Sequence, residues 1–172
     1  SMLFDPRLSD LFFWHFHPEY ELVYIEAPRG TRHVGSHIST YYKSDLVLIG
    51  SNIPHLNFDY GLQTNYRKVV LHLKPSFVTD SLANVPELTR IQSLFQRAQQ
   101  GIAFKGALKA SIGARLFAMK SQAPFERYLQ VLSVLEELAQ ATTYELLHPE
   151  PVESRYGAKE QERLQRIYAF VD

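Results

Sequence analysis

The residues best suited to chemistry in this sequence lie in the stretch HFHPEYE, which contains His15, His17 and Glu21. On a β-strand, residues i and i+2 project from the same face with Cα atoms about 6.5–7 Å apart, so the two histidines can converge on one ion. Glu21 would lie about 13 Å from His17 along an extended chain, too far to share that ion. A turn at Pro18, whose φ is fixed, would fold Glu21 back beside the histidines. We therefore predict a turn here, with Glu21 at the start of the next strand.

A third histidine, His55, follows a strand-like run at Leu46–Ile49 and a turn at 50–52. Three imidazoles and one carboxylate suit one divalent ion of Zn, Ni, Fe or Mn, and the sequence does not choose among them. Buried imidazoles and carboxylates need partners. Three interpretations stay open: a bound metal, a metal-free polar pocket that hydrogen-bonds a small effector, and polar residues that only satisfy one another.

Other polar residues give weaker signals. His33 lies on the next candidate strand and is included as a ligand-binding residue, whereas Arg32 beside it is interpreted as part of a solvated strand face. Trp14 alternates with His15 on the first strand and is expected to pack under a helix. No spacing ties the remaining histidines to the site, and we interpret them as incidental: His37, His72 and His148.

The elements that position these residues change in character near residue 75. The first part is rich in Val, Ile, Tyr and Phe between turn residues, a pattern typical of a sandwich or barrel. Its candidate strands are 11–16, 20–26, 31–38, 46–49, 54–60 and 66–73, and its candidate turns include 28–30 and 43–45. Strands followed by helices predict an α+β domain.

The second part has apolar residues at helical spacing. The three stripes are Leu88, Ile91, Leu94, Phe95 and Ala98; then Leu108, Ile112, Leu116 and Met119; then Phe125, Leu129, Leu132, Leu135 and Leu138. A loop rich in proline follows at 148–157, and a last amphipathic helix with mixed charges is predicted from Ala158.

Composition limits the possible functions. The chain has 172 residues with 45% apolar content, enough for one domain with a proper core. The 18 basic and 18 acidic residues cancel, which argues against a DNA-binding surface within this chain. The absence of cysteine excludes disulfides, thiolate ligands and cysteine nucleophiles. No apolar run approaches the ~20 residues that span a bilayer, so we expect a soluble, cytoplasmic protein with no membrane partner.

Two segments resemble the cupin motifs. HFHPEYE is similar to the first motif, H-x-H-x(3,4)-E followed by a glycine, for which Gly30 can serve. SDLVLIGSNIPH, residues 44–55, resembles the second motif with its turn, strand and Pro-His ending. The resemblance implies a jelly-roll barrel, with metal ligands at the four positions His15, His17, Glu21 and His55.

A wider resemblance covers nearly the whole chain. FHPEYELVYIEAPRGTRHVGSHI, the second cupin-like segment and the helical stretches together resemble the N-terminal sensor domain of AraC-type transcription regulators. This implies a cupin-like β-barrel at 1–75, a helical dimerisation region at 76–148, and a loop and linker helix at 149–172 leading towards a DNA-binding domain that the chain lacks. It further implies a small-molecule effector in the barrel, a homodimer through the helical region, and DNA contact only through the missing domain. We predict helix 124–141 as the dimer contact because of its long Leu-rich stripe.

The alternative is a metal-dependent cupin enzyme, such as a dioxygenase or isomerase, with the same four ligands. Such chemistry does not need a helical half as long as the barrel. The sequence therefore favours a regulator without catalytic activity over an enzyme.

Overall fold

The computed structural model describes residues 15–153 as an antiparallel sheet covered by helices. The strands are β1 (Tyr20–Val34), β2 (His37–Ile49), β3 (Arg67–Leu73), β4 (Ile102–Phe104) and β5 (Tyr144–Leu146). The α-helices are α1 (Thr89–Ala98), α2 (Leu108–Ala118) and α3 (Pro124–Gln140). Shorter helical segments lie at Phe77–Ser81, Pro86–Leu88 and Met119–Ser121. The strand order is β3-β1-β2-β4-β5, and the predicted α+β class is confirmed.

Both faces of the sheet are buried, because alternate residues of β1 and β2 enter two different cores. Leu22 and Leu48 pack with residues of all three α-helices in one core. Val23 and Ile49 pack in the other core with Ile53, which belongs to the segment that follows β2. We call this second core the barrel-side core. Strands buried on both faces read as continuous apolar runs, as the sequence shows from residue 46 to 49.

β1 and β2 are each one long strand, where the sequence had predicted breaks. The predicted turns at 28–30 and 43–45 lie inside these strands, so candidate strand 20–26 and residues 31–34 form one element. The candidate strand 31–38 is wrong in its second half, because the chain turns at 35–36 and residues 37–38 begin β2. A shift in register between Ala27 and Arg29 takes the place of the first turn, and Lys43 on the opposite strand has a φ of 66°. Such a bulge bends a strand without ending it.

The bulge reverses which residues face the barrel-side core. Glu21 and Val23 point inward before it, whereas Gly30, Arg32 and Val34 are the buried residues after it. Gly30 has a steric role: a Cβ at this position would lie 2.1–2.6 Å from atoms of the Tyr41 ring. The glycine therefore lets this ring cross β1 on the inner face.

The predicted strand at 54–60 is not a strand. Instead, His55 forms isolated β-bridges with His15 on one side and with Val34 on the other. These bridges fix the position of His55 without a continuous strand. Conversely, β4 and β5 come from the part of the sequence that showed helical spacing. Each has only three residues, too few for alternation to be recognised.

The helical layer follows the predicted stripes in part. Ile91, Leu94, Phe95 and Ala98 of α1 are buried, as are Ile112 and Leu116 of α2. On α3 the buried residues are Val131, Val134, Leu135 and Leu138, whereas Phe125 and Leu129 of the predicted stripe are 72% and 49% exposed. The apolar stripe of α3 therefore continues beyond the part that the core covers.

Several expectations lie outside the described residues. These are Trp14, the start of the first candidate strand, and the helix predicted from Ala158 with its charged residues. Among the helices of residues 15–153, none combines the length and the apolar content needed to cross a membrane.

Candidate metal and effector site

The first strand of the sheet places Glu21 at the centre of the candidate site. Glu21 stands opposite Ile49 of β2 on one side and opposite His72 of β3 on the other. Its side chain is buried at the end of the barrel-side core. The chain bends at 18–19, so the turn predicted before β1 is confirmed.

Backbone hydrogen bonds hold the histidines above this strand end. His15 and His55 exchange two of them, from His15 N to His55 O at 3.1 Å and from His55 N to His15 O at 2.8 Å. Asn52 donates its backbone N–H to His17 O at 2.8 Å, and its positive φ of 58° belongs to the tight turn after β2. The two sequence motifs thus meet as neighbouring backbone segments.

The four residues predicted as metal ligands come together. One ligand atom from each of His15, His17, Glu21 and His55 lies within 4.8 Å of all the others. His17 Nε2 and His55 Nε2 lie 3.2 and 3.3 Å from Glu21 Oε2. His15 adds its ring at 4.2 Å from that of His55, measured between centroids.

Two of the rings have their tautomer fixed by carbonyl groups. His17 Nδ1 lies 3.1 Å from Glu19 O, and His55 Nδ1 lies 2.7 Å from Ile53 O. A carbonyl oxygen only accepts, so each Nδ1 carries a proton and donates it. In the neutral ring Nε2 then has a lone pair, and this lone pair faces Glu21 Oε2, which is also an acceptor. The arrangement needs a cation between the groups, either a further proton or a metal ion.

The same geometry perturbs the acid–base properties of the site. The hydrogen bond with Glu21 raises the pKa of His17, against the opposing effect of burial. Burial alone would raise the pKa of Glu21, but hydrogen bonds from His17 and His55 outweigh it and hold the pKa well below its ordinary value. The carboxylate is therefore ionised and available as a ligand at neutral pH.

The residues present fit a divalent metal ion. Ligands bound at about 2.0–2.2 Å to one ion are separated by roughly 3.0–3.5 Å, which is the range found between Glu21 Oε2 and the two Nε2 atoms. Imidazoles that donate Nδ1–H to backbone carbonyls are the usual form of metal-bound histidine. Nitrogen and carboxylate donors suit Zn, Ni, Fe or Mn, as the sequence had indicated.

His72 is a site residue that the sequence did not identify. Its Nε2 lies 3.0 Å from Glu21 Oε2, and its ring centroid is 5.1 Å from that of His17. The interpretation of His72 as incidental is corrected by this contact. The two residues are 51 positions apart in sequence, and only the pairing of β1 with β3 brings them together.

His33 and Arg32 lie elsewhere. His33 projects from the face of β1 opposite to Arg32 and Val34, and it is outside the group of four ligands. Arg32 is not on a solvated face, contrary to the sequence-based interpretation. It is buried and donates to both carboxylate oxygens of Asp45, from Nε at 2.8 Å and from Nη2 at 2.6 Å. The bulge causes the difference, because it turns even-numbered residues inward.

The other two histidines lie apart from the group of four. His148 is buried and donates Nε2–H to Val34 O at 2.9 Å. His37 lies beside it, with ring centroids 6.3 Å apart, and its Nε2 is 2.8 Å from Ser39 Oγ. Neither belongs to the candidate metal ligands.

Fold and motifs together define an α+β domain of the cupin-like class. The family model described as AraC-like ligand binding domain matches residues 7–147, and the chain belongs to this family. It is thus related to the sensor domains of AraC-type transcription regulators. No curated protein matches the chain.

Proposed function

We propose that this domain binds a small-molecule effector at the group of His15, His17, Glu21 and His55, here called the His–Glu cluster, and thereby controls DNA binding by a C-terminal domain beyond this sequence. The observation that carries the proposal is the convergence of four ligand atoms within 4.8 Å, in a chain that belongs to the AraC-like ligand-binding family. An effector can shift a regulator only through different affinities for its two arrangements. A cytoplasmic location is part of this proposal.

One divalent metal ion, held by His15, His17, Glu21 and His55, is part of this proposal. When bound, it supplies a Lewis acid to which an oxygen or nitrogen atom of the effector binds. The protein residues around the ion would orient the effector. His17 and Glu19 are partly exposed and mark the side from which it enters.

The metal is tested by mass spectrometry of the purified domain, with His55→Ala and with His33→Ala as a matched control. We expect one equivalent of metal in the wild type and the control, and a large loss in His55→Ala. Thermal-shift screening of small polar molecules then follows, with and without the metal. If wild-type protein stays metal-free after incubation with each of Zn, Ni, Fe and Mn, the proposal that the cluster binds a metal is wrong.

We infer that α3 forms the homodimer contact. Phe125, Tyr128 and Leu129 are exposed at i, i+3 and i+4, and they extend the stripe that the core buries further along the helix. Leu132 itself packs against the core, so its substitution would disturb folding as well as association.

The dimer is tested by light scattering on Leu129→Asp, with Glu126→Ala on the same helix as the control. A charge in an apolar contact should convert dimers into monomers, whereas the exposed Glu126 should tolerate the change. An unchanged mass for Leu129→Asp would exclude this helix as the contact.

A metal-dependent cupin enzyme is the second candidate, because the same three imidazoles and one carboxylate would serve it. The test is the fate of a molecule found to bind the metal-loaded domain. A sensor releases it unchanged, as chromatography would show. Its conversion, or uptake of oxygen in its presence, would identify the dioxygenase or isomerase alternative.

A further inference from the structure

His72 stands at the outer side of the cluster. It is the direct cross-strand partner of Glu21 in the β1–β3 pair, and its side chain is 52% exposed. Glu21, by contrast, is buried. His72 Nε2 is 3.0 Å from Glu21 Oε2, the shortest of the three imidazole contacts that this oxygen makes among the described residues.

His72 differs chemically from the other two imidazoles at this oxygen. His17 and His55 each have Nδ1 held by a carbonyl, which leaves Nε2 as the ligand atom. Within residues 15–153 no hydrogen bond holds Nδ1 of His72, so Nε2 is free to carry the proton and donate it to Glu21 Oε2. The Nε2–H donor of His72 then faces the Oε2 acceptor of Glu21, so this contact, unlike those of His17 and His55, needs no cation between its atoms.

His72 is also outside the group whose ligand atoms lie mutually within 4.8 Å. It touches the carboxylate from the side of β3, while the other histidines come from the two motif segments. Its distance to Oε2 alone would also suit a ligand, but its place outside the group of four suits an imidazole that orients a ligand. Hydrogen bonds from such outer residues fix the direction of a ligating carboxylate.

We propose that His72 is a positioning residue of the metal site, whose Nε2–H holds the Glu21 carboxylate with Oε2 directed at the ion. This rests on the metal of the proposed function. Loss of outer partners of this kind lowers metal affinity by about 10–100-fold. His72 would therefore complete the site from a strand that carries neither cupin motif.

The experiment measures the affinity of the full 172-residue protein for Ni²⁺ against a competing chelator. His72→Thr suits a strand but is too short to reach Glu21; His72→Gln retains an N–H donor of suitable length. His33→Gln is the matched control on the same sheet. We expect His72→Thr to bind about 10–100-fold more weakly, His72→Gln to recover most of the affinity, and the control to equal the wild type. Circular dichroism of the metal-free proteins checks that each variant folds.

A second readout separates an orienting residue from a ligand. Electron paramagnetic resonance of the Cu²⁺-loaded protein counts coupled imidazole nitrogens. The count should stay the same in His72→Thr and fall in His15→Gln. A lower count in His72→Thr would make His72 a direct ligand and overturn the assignment. Equal Ni²⁺ affinity of wild type and His72→Thr would overturn it while leaving the metal site intact. A wild type that binds no metal would overturn both, and that result is seen before any variant is compared.

Discussion

The Arg32–Asp45 pair and the His–Glu cluster are both polar groups at least partly buried inside one fold, yet they differ in whether the atoms that face each other are matched as donor and acceptor. Arg32 offers five N–H donors, and Asp45 accepts two of them in a bidentate arrangement. Ser39 Oγ accepts another, from Nη1 at 2.9 Å. The positive charge, the negative charge and the planar geometry match without any further group.

The His–Glu cluster is complete only when a cation is added. His17 and His55 direct Nε2 at an oxygen that can only accept, so a proton or a metal ion has to lie between them. The comparison teaches that burial alone does not mark a binding site. The proposed metal site rests on unmatched acceptors at the accessible end of the core, whereas an ion pair whose donors and acceptors match indicates a structural role.

The largest expected effect tests the structural role of the ion pair. Asp45→Ala leaves the Arg32 guanidinium buried without its counter-charge, which should lower the free energy of unfolding by about 3–5 kcal/mol. Arg67→Ala removes an exposed partner of Glu26 and should cost less than about 1 kcal/mol. Urea denaturation of both variants gives the two values. Equal costs would mean that the buried pair contributes no more than a surface one.

The second prediction tests the incomplete cluster. Metal at 100 times its dissociation constant should raise the free energy of unfolding of the wild type by about 2.7 kcal/mol. Glu21→Gln removes the anionic ligand with little change of shape, so the same metal concentration should stabilise this variant far less. Asp45→Asn, though less stable, should gain as much from metal as the wild type. Urea denaturation with metal or with chelator measures each gain, and equal gains for Glu21→Gln and wild type would contradict the assignment.

Much of this site was predictable from sequence, because its signals are local. The spacing of His15 and His17, the turn before Glu21 and the Pro-His ending at His55 each lie within a few residues. The α+β class followed from the change of period near residue 75. These features depend on neighbouring residues, which a single sequence displays directly.

The features that sequence reasoning missed depend on strand register. His72 reaches Glu21 only because β3 pairs with β1, and Arg32 turns inward only because of the bulge after Ala27. A shift of one residue moves every following side chain to the other face, so an unrecognised bulge reverses all later assignments on that strand. The segment from Pro28 to Gly30 has the proline and glycine that are typical of a turn. The same residues are tolerated at a β-bulge, so composition alone did not distinguish the two.

The third prediction concerns the packing beside the ion pair. Gly30→Ala would place a methyl group against the Tyr41 ring, whose hydroxyl donates to Phe58 O at 2.8 Å. Because this interior is closed, overpacking should cost about 1–3 kcal/mol. Gly61→Ala is not a suitable control because its φ of 73° adds strain, so Thr31→Ala on the exposed face of β1 serves instead. Thermal unfolding compares the two, and a neutral Gly30→Ala would show that the ring has room to move.

The smallest effect is expected at His148, a buried histidine outside the His–Glu cluster. Burial, helped by the neighbouring His37, lowers the pKa of His148, whose Nε2–H bonds to Val34 O. Above the ordinary pKa of about 6.5 the ring is neutral in both states, and its contribution to stability is complete. As the pH falls below that value, the unfolded chain takes up a proton that the folded chain does not. Stability then declines by at most about 1.4 kcal/mol per pH unit until the lowered pKa is reached.

His17 has a raised pKa and the opposite dependence, since its contribution is present below the ordinary value and is lost as the pH rises through the raised one. Only the difference between wild type and His148→Gln isolates the buried ring. Urea denaturation from pH 7.5 down to pH 5 should show the stability of the wild type falling towards that of the variant. Parallel curves would mean that His148 takes up its proton equally in both states, and that its burial beside His37 does not keep it neutral.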